Sequence, residues 1–299
     1  TSLVTTIAEN RNNFTQSEYE RALRARSMYY TVGQPTVRNF KALLRSNAIK
    51  DCPVTEKDVT IAEKIFGPAM STLKGKSTRK SPRAVTDDNI HVPPEIIDEH
   101  HEIELCIDTM HVCGQPFLTS IDKSIKYCCV VELPNKTYKE YYAALDKILQ
   151  HYNSAGFVVT KIYCDGEYKG MMDKVKDDMN VEMNYTNVGD HVPEAERNNR
   201  TLKERIRSEF QRTPFQAMPS VMLIQLTLKS GECLNYFPVK GGISSYYSPR
   251  VILRKPPLNY KKHCSIPMGA YVQAYDEPKQ SKKNNLIQRT IDAIYLRPN

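Results

Sequence analysis

The chain has 299 residues, 40 % of them hydrophobic and 25 % charged, with a formal net charge of +8. That length and balance provide for one large or two modest domains with a real core, and they exclude an intrinsically disordered chain. The longest apolar runs are strand-sized, such as Cys128-Cys-Val-Val131, so no membrane helix is expected, and the opening residues carry no basic-then-apolar signal segment that would direct secretion.

The positive charge is uneven. Ser71 to Thr86 holds Lys74, Lys76, Arg79, Lys80 and Arg83 without a carboxylate. Cys233 to Tyr275 carries six Lys/Arg and seven Phe/Tyr, again without Asp or Glu. A basic tract laced with aromatics suits a polyanion; the plainer reading is a solvated surface. Eight cysteines are scattered with no CxxC pair, the pattern of reduced thiols in an intracellular protein. The chain opens at Thr1 without a methionine and closes on a strand-like run, Ile294-Tyr-Leu-Arg-Pro-Asn299; both ends read as those of a piece of a longer polypeptide.

Residues 1–70 read as a helical module. Thr15-Gln-Ser-Glu18 and Thr55-Glu-Lys-Asp58 have capping-box form, and Val37, Phe40, Leu43 and Leu44 recur at helical spacing between them. Gly67 ends the helix striped by Val59, Ala62, Ile65 and Phe66. Lys74-Gly-Lys76-Ser77-Thr is not a phosphate loop: the required first glycine would fall at Met70, and no strand precedes it. Residues 71–100 form a basic linker that can lie along DNA. From about 101 to 250 the pattern becomes α/β, in the order βββαβαβαα. Strands are expected at Glu104–Met110, Gln115–Ile121, Lys126–Leu133, Phe157–Tyr163 and Asn180–Tyr185. Helices are expected at Thr137–Tyr152, Gly166–Val175, Glu194–Gln211 and Ser220–Tyr236. Residues 251–299 form a basic C-terminal segment in which two strands flank a polar, lysine-rich loop.

Three carboxylates stand out. Asp108 lies inside Leu105-Cys-Ile-Asp108, where an acid is costly to bury without a cation. Asp165 ends the fourth strand and precedes Gly166; alone, it reads equally as a helix cap. Glu196 falls in the first turn of the long basic helix, with Glu194 and Glu204 as competitors. Asp122 reads as a strand-end turn residue. If the two strands are neighbours, Asp108 and Asp165 meet. Carboxylates converging in this way suit Mg2+ or Mn2+ and phosphoryl transfer. Arg197, Arg200, Lys203 and Arg207 follow at three-to-four spacing, on one helical face suited to DNA phosphates; Lys126 and Lys169 are further candidates.

These residues resemble the integrase region of copia-type long-terminal-repeat retrotransposon polyproteins. The likeness is carried by Ile107-Asp108-Thr-Met-His, Tyr163-Cys-Asp165-Gly-Glu and Ala195-Glu196-Arg197-Asn198-Asn-Arg-Thr-Leu202, with Leu234-Asn-Tyr-Phe-Pro238 and Ser248-Pro-Arg250 closing the domain. Asn39-Phe-Lys-Ala-Leu-Leu44 and Ala62-Glu-Lys-Ile-Phe-Gly67 resemble the part just upstream. The resemblance implies an RNase H-like core, a mixed five-stranded sheet flanked by helices. It implies an Asp108, Asp165, Glu196 metal site that processes DNA 3′ ends and transfers them to target DNA. It also implies a homo-oligomer, other polyprotein products as partners, and a nuclear and cytoplasmic-particle location. The chain departs from the family at Pro193-Glu194, where Asn-Gly is common, and in its zinc module: His91, His100 and His101 are not followed by a CxxC, so no zinc is expected. A catalytically inactive nucleic-acid-binding fragment and an RNase H-like nuclease are the alternatives.

Overall fold

The computed structural model describes residues 6–46, 49–76, 92–185, 192–256, 258–275 and 288–298. Most of the basic run, with Arg79, Lys80, Arg83 and His91, and the lysine-rich loop at 276–287 lie outside them. The chain divides into two compact units, residues 1–84 with 270–295 and residues 85–269 with 296–299.

The first unit opens with helices α1 (Ile7–Arg11), α2 (Gln16–Thr31), α3 (Val37–Arg45), α4 (Glu56–Phe66) and α5 (Met70–Lys76). Thr15 and Thr55 close capping boxes with Glu18 and Asp58, which satisfies backbone donors that each helix start would otherwise leave open. Their apolar stripes meet in a core of Ala22, Ala25, Tyr29, Phe40, Val59, Ala62 and Ile65. Gly67, at φ +65°, ends α4 in a conformation that side chains avoid. Gly75 lies within α5, so Lys74-Gly-Lys76 forms a helical turn and not a phosphate-binding loop.

The second unit begins with α6 (Pro94–Glu99) and continues through β1 (Glu102–Val112), β2 (Gln115–Asp122), β3 (Cys128–Glu132), α7 (Tyr138–Asn153), β4 (Val158–Cys164), α8 (Met172–Met179), β5 (Glu182–Tyr185), α9 (Pro193–Arg212), α10 (Ser220–Leu234) and α11 (Pro249–Ile252). The five strands form one sheet in the order β3-β2-β1-β4-β5. β1–β2 and β2–β3 are antiparallel, whereas β1–β4 and β4–β5 are parallel. This is the mixed, helix-flanked sheet of the RNase H-like fold. The meander β1-β2-β3 needs only short turns, while β4 and β5 arrive through α7 and α8 because parallel neighbours need a crossover.

Both faces of β1 are covered. Ile103, Leu105 and Ile107 pack with Leu145, Ile148 and Tyr152 of α7. Met110 and Val112 pack with Leu202 and Ile206 of α9, and Cys106 with Val192 and Ala195 at the start of that helix. Asp108 falls between Cys106 and Met110 in the strand alternation, on the face toward α9.

Several element ends fall one to four residues from the expected positions, and two of these differences have a visible local form. β3 begins at Cys128 and not at Lys126, because the buried Asp122 carboxylate gathers the N–H groups of Ser124, Lys126 and Tyr127 at 2.9–3.1 Å, together with that of Ile125. Lys126 sits in this loop at φ +63°. The helix expected from Gly166 starts as a 3-10 turn, Gly166–Met171, before α8. At the sheet edge, the Asn235 side chain donates to Cys128 O and accepts from Cys128 N, both at 2.7 Å, and so occupies ladder groups that β3 would otherwise leave open.

Strands β6 (Tyr271–Tyr275) and β7 (Thr290–Ile294) pair antiparallel and belong to the first unit, with the N-terminal helices. Lys74 Nζ lies 2.9 Å from Asp292, and Arg289 N donates to Lys74 O at 2.8 Å. Residues 251–299 are therefore shared between the two units.

Candidate active site

The parallel pairing of β1 with β4 sets Cys106 opposite Tyr163. Two residues beyond that pair, on the same face of the sheet, come Asp108 and Asp165. The charge of Asp165 acts directly on Asp108. Asp165 occupies the residue before the 3-10 turn but makes no side-chain capping bond there, so its side chain does not act as a cap.

Asp108 is half-buried and held on both oxygens. Oδ1 accepts the Thr109 N–H at 2.7 Å, and Oδ2 accepts Asn199 Nδ2 of α9 at 2.6 Å. The orientation of the Asn199 amide is fixed by Thr119, whose hydroxyl lies 2.7 Å from Asn199 Oδ1 and 3.0 Å from Asp108 O. Three elements, β1, β2 and α9, thus lock one carboxylate. Its pKa is raised, first by burial and then by the negative charges of Asp165 and Glu167; the Thr109 and Asn199 hydrogen bonds pull in the opposite direction.

Glu167 enters through Thr109. The Thr109 hydroxyl donates to the Glu167 carboxylate, leaving its oxygen to accept from Tyr168 at 2.7 Å and Tyr141 at 3.1 Å. Tyr168 is fully buried and its hydroxyl pKa is pushed well up by that burial, so it stays a neutral donor. Asn199, Thr119, Glu167 and the two tyrosines were not picked out in the sequence. Helical spacing was the available signal for Asn199, which lies one turn past Glu196 on α9.

Glu196 is exposed on the first turn of α9. It is not among the groups acting most strongly on Asp108, and among the described residues no three His, Cys, Asp or Glu side chains are placed to hold a metal ion together. The α9 side chain bonded to Asp108 is Asn199, three residues past Glu196, and the charges of Asp165 and Glu167 act on the same carboxylate. The donor set fits a hard divalent cation: the partners are carboxylate oxygens, and the two charges acting most strongly on Asp108 are both negative.

Arg197, Arg200, Lys203 and Arg207 are all exposed, while Ala195, Asn199, Leu202 and Ile206 turn inward. The outer side of α9 therefore presents four cations, with Glu196 and Glu204 exposed among them. Lys126 lines a hollow with Glu194 and Arg197. Lys169 lies 5.4 Å from the Tyr185 ring centroid, within cation–π range.

Sheet order and site together define an RNase H-like α/β domain with paired carboxylates on its central parallel strands. No protein-family model matches the chain, and no curated protein matches it in sequence. Among solved structures, the chain is similar to the crystal structure of the catalytic core domain of BIV integrase, with TM-score 0.37 and 14 % identity over 52 % of this chain and 93 % of that one. No helix among the described residues is long and apolar enough to cross a membrane.

Proposed function

We propose that the chain is a metal-dependent polynucleotidyl transferase of the integrase kind, acting on DNA ends, and that it derives from a copia-type retrotransposon polyprotein. The observation that carries this reading is the placement of Asp108 and Asp165, each two residues past the Cys106–Tyr163 pair of the parallel strands, with the charge of Asp165 acting on Asp108 and Asn199 clamping the Asp108 carboxylate. Asp108 and Asp165 would hold Mg2+ or Mn2+, and Glu196 is the third acid on offer from α9. When bound, such an ion lowers the pKa of a water or 3′-hydroxyl nucleophile and stabilises the leaving oxyanion. Thr109 and Asn199 keep the Asp108 carboxylate in one orientation. Arg197, Arg200, Lys203 and Arg207 hold the DNA backbone along α9 without reading its sequence. In this reading the partners are double-stranded element ends and target DNA, a second copy of the chain and other polyprotein products, met in the nucleus and in cytoplasmic particles.

One observation favours a second reading, a nucleic-acid-binding fragment without catalysis: among the described residues no three acidic, His or Cys side chains are placed to hold a metal ion together. A plain nuclease would differ only in its nucleophile. A strand-transfer assay with labelled DNA ends and Mn2+ separates all three. The proposal expects joined product from the wild-type chain and a loss of at least ~100-fold, the scale of losing a group that stabilises transition-state charge, in Asp108→Asn and in Asp165→Asn. Cleavage without joining would point to the nuclease, and DNA binding with neither reaction to the inactive fragment.

A further inference from the structure

At the far edge of the sheet from the acidic pair, with β2 between, lies a cavity of ≈ 950 Å³. Its walls come from β3, α7, α10 and the returning segment after Pro249. That volume is ample for a small ligand. Most of its charged lining is basic, including Lys147 and His151 from α7 and Arg250, Lys255 and His263 from the returning segment. Of its acids, Glu232 is bonded to Arg297, leaving Glu132 of β3 and Glu140 of α7.

The centre of this cluster is a pair of bases. Lys255 Nζ lies 3.0 Å from His151 Nδ1, and both residues are half-buried. An ammonium has no lone pair to offer, so Lys255 donates and His151 accepts, carrying its own proton on Nε2. The lysine is then fixed in place with two N–H donors unused. Among the described residues no carboxylate pairs with it. Burial chiefly lowers the pKa of both groups; Lys255 lowers that of His151 further, while at Lys255 the Cys129 thiol pulls upward and Arg250 downward. Proteins seldom bury a cation beside another base and a guanidinium unless an anion offsets the cost.

We infer that this cavity is a phosphate-binding site, with Lys255, oriented by His151, as its principal contact and Lys147 and Arg250 at its rim. Geometry and charge single out the phosphoryl group, which can arrive either as free phosphate or as part of a nucleic-acid backbone. The site shares no residue with the acidic pair, so the inference stands apart from the proposed reaction.

The test is the thermal melting of the full chain at constant ionic strength, with inorganic phosphate, or a short single-stranded oligonucleotide, exchanged for chloride. A ligand that binds only the folded chain raises its melting temperature. The expected result is an upward shift of a few degrees in the wild-type chain, unchanged in Asp108→Asn and abolished in Lys255→Met. Lys147→Gln, at an exposed position on α7, should reduce the shift and guards against a folding defect in the Lys255 variant. A shift with inorganic phosphate identifies the free anion as sufficient. A shift with the oligonucleotide alone, lost in Lys255→Met, assigns the site to nucleic-acid phosphate. No shift with either probe, or equal shifts in the wild type and both lysine variants, overturns the inference.

Discussion

Asn199 links the long helix α9 to β1 through one short hydrogen bond, and that bond bears directly on Asp108. A hydrogen bond to a charged group is worth about 1.5–3 kcal/mol. Removing it would leave Asp108 held only by the Thr109 N–H and its proton harder to lose. Asn199→Ala should fold normally, judged by its circular dichroism, and lose about 10–100-fold in divalent-ion affinity, the usual effect of removing a residue that orients a ligand. Asp108 itself carries a pH signature. Its folded pKa lies above its unfolded value, so the native state holds the proton more tightly. Without divalent ions, stability should therefore fall as pH rises from the ordinary carboxylate range through the raised value, then level off. Asp108→Asn should lack that fall in a urea-melt series from pH 3 to about pH 8, spanning ordinary and raised carboxylate values. A wild-type profile no steeper than that of the variant would contradict the assignment. At this scale the sequence was informative for Asp108, where an acid interrupts a buried run. Asp165 could not be separated from a cap by its neighbours alone. For Asn199 the helical spacing from Glu196 placed it on α9 one turn on, but its bond to Asp108, 91 residues away, is a pairing that no periodicity encodes.

At the scale of elements, α9 carries two roles on opposite sides. Its inner side supplies Leu202 and Ile206 to the core and Asn199 to Asp108, while its outer side presents Arg197, Arg200, Lys203 and Arg207. Replacing any one of these four with glutamine should weaken DNA binding similarly for all sequences. It should also reduce the slope of log affinity against log salt by about 1, as expected for a lost phosphate contact. Filter binding across a salt series measures this directly; an unchanged slope in all four variants would remove α9 from the DNA interface. The helices and strands were legible from capping boxes and apolar alternation. The start of β3 was not, because Asp122 collects backbone donors that would otherwise have extended the strand. Nor could the sequence show α10 packing on this strand: a Cβ at Gly231 would lie 2.5 Å from Val130 Cγ2, so the glycine permits a close approach that its helical surroundings do not announce.

For the molecule as a whole, the chain's order in sequence is not its order in space. The strands β6 and β7, read from the sequence as a C-terminal module, complete the unit begun by the N-terminal helices, and residues 296–299 belong with the sheet domain. Composition marked where the helical, basic and α/β tracts change, but it could not show that one tract returns to another. The sheet domain's two central strands bring Asp108 and Asp165 to the same level, and the functional account depends on that placement. Isothermal titration of the full chain with Mn2+ tests it most directly. The account predicts saturable binding by the wild-type chain that is lost in Asp108→Asn and in Asp165→Asn and weakened in Asn199→Ala. Equal Mn2+ binding by the wild type and both aspartate variants would contradict it.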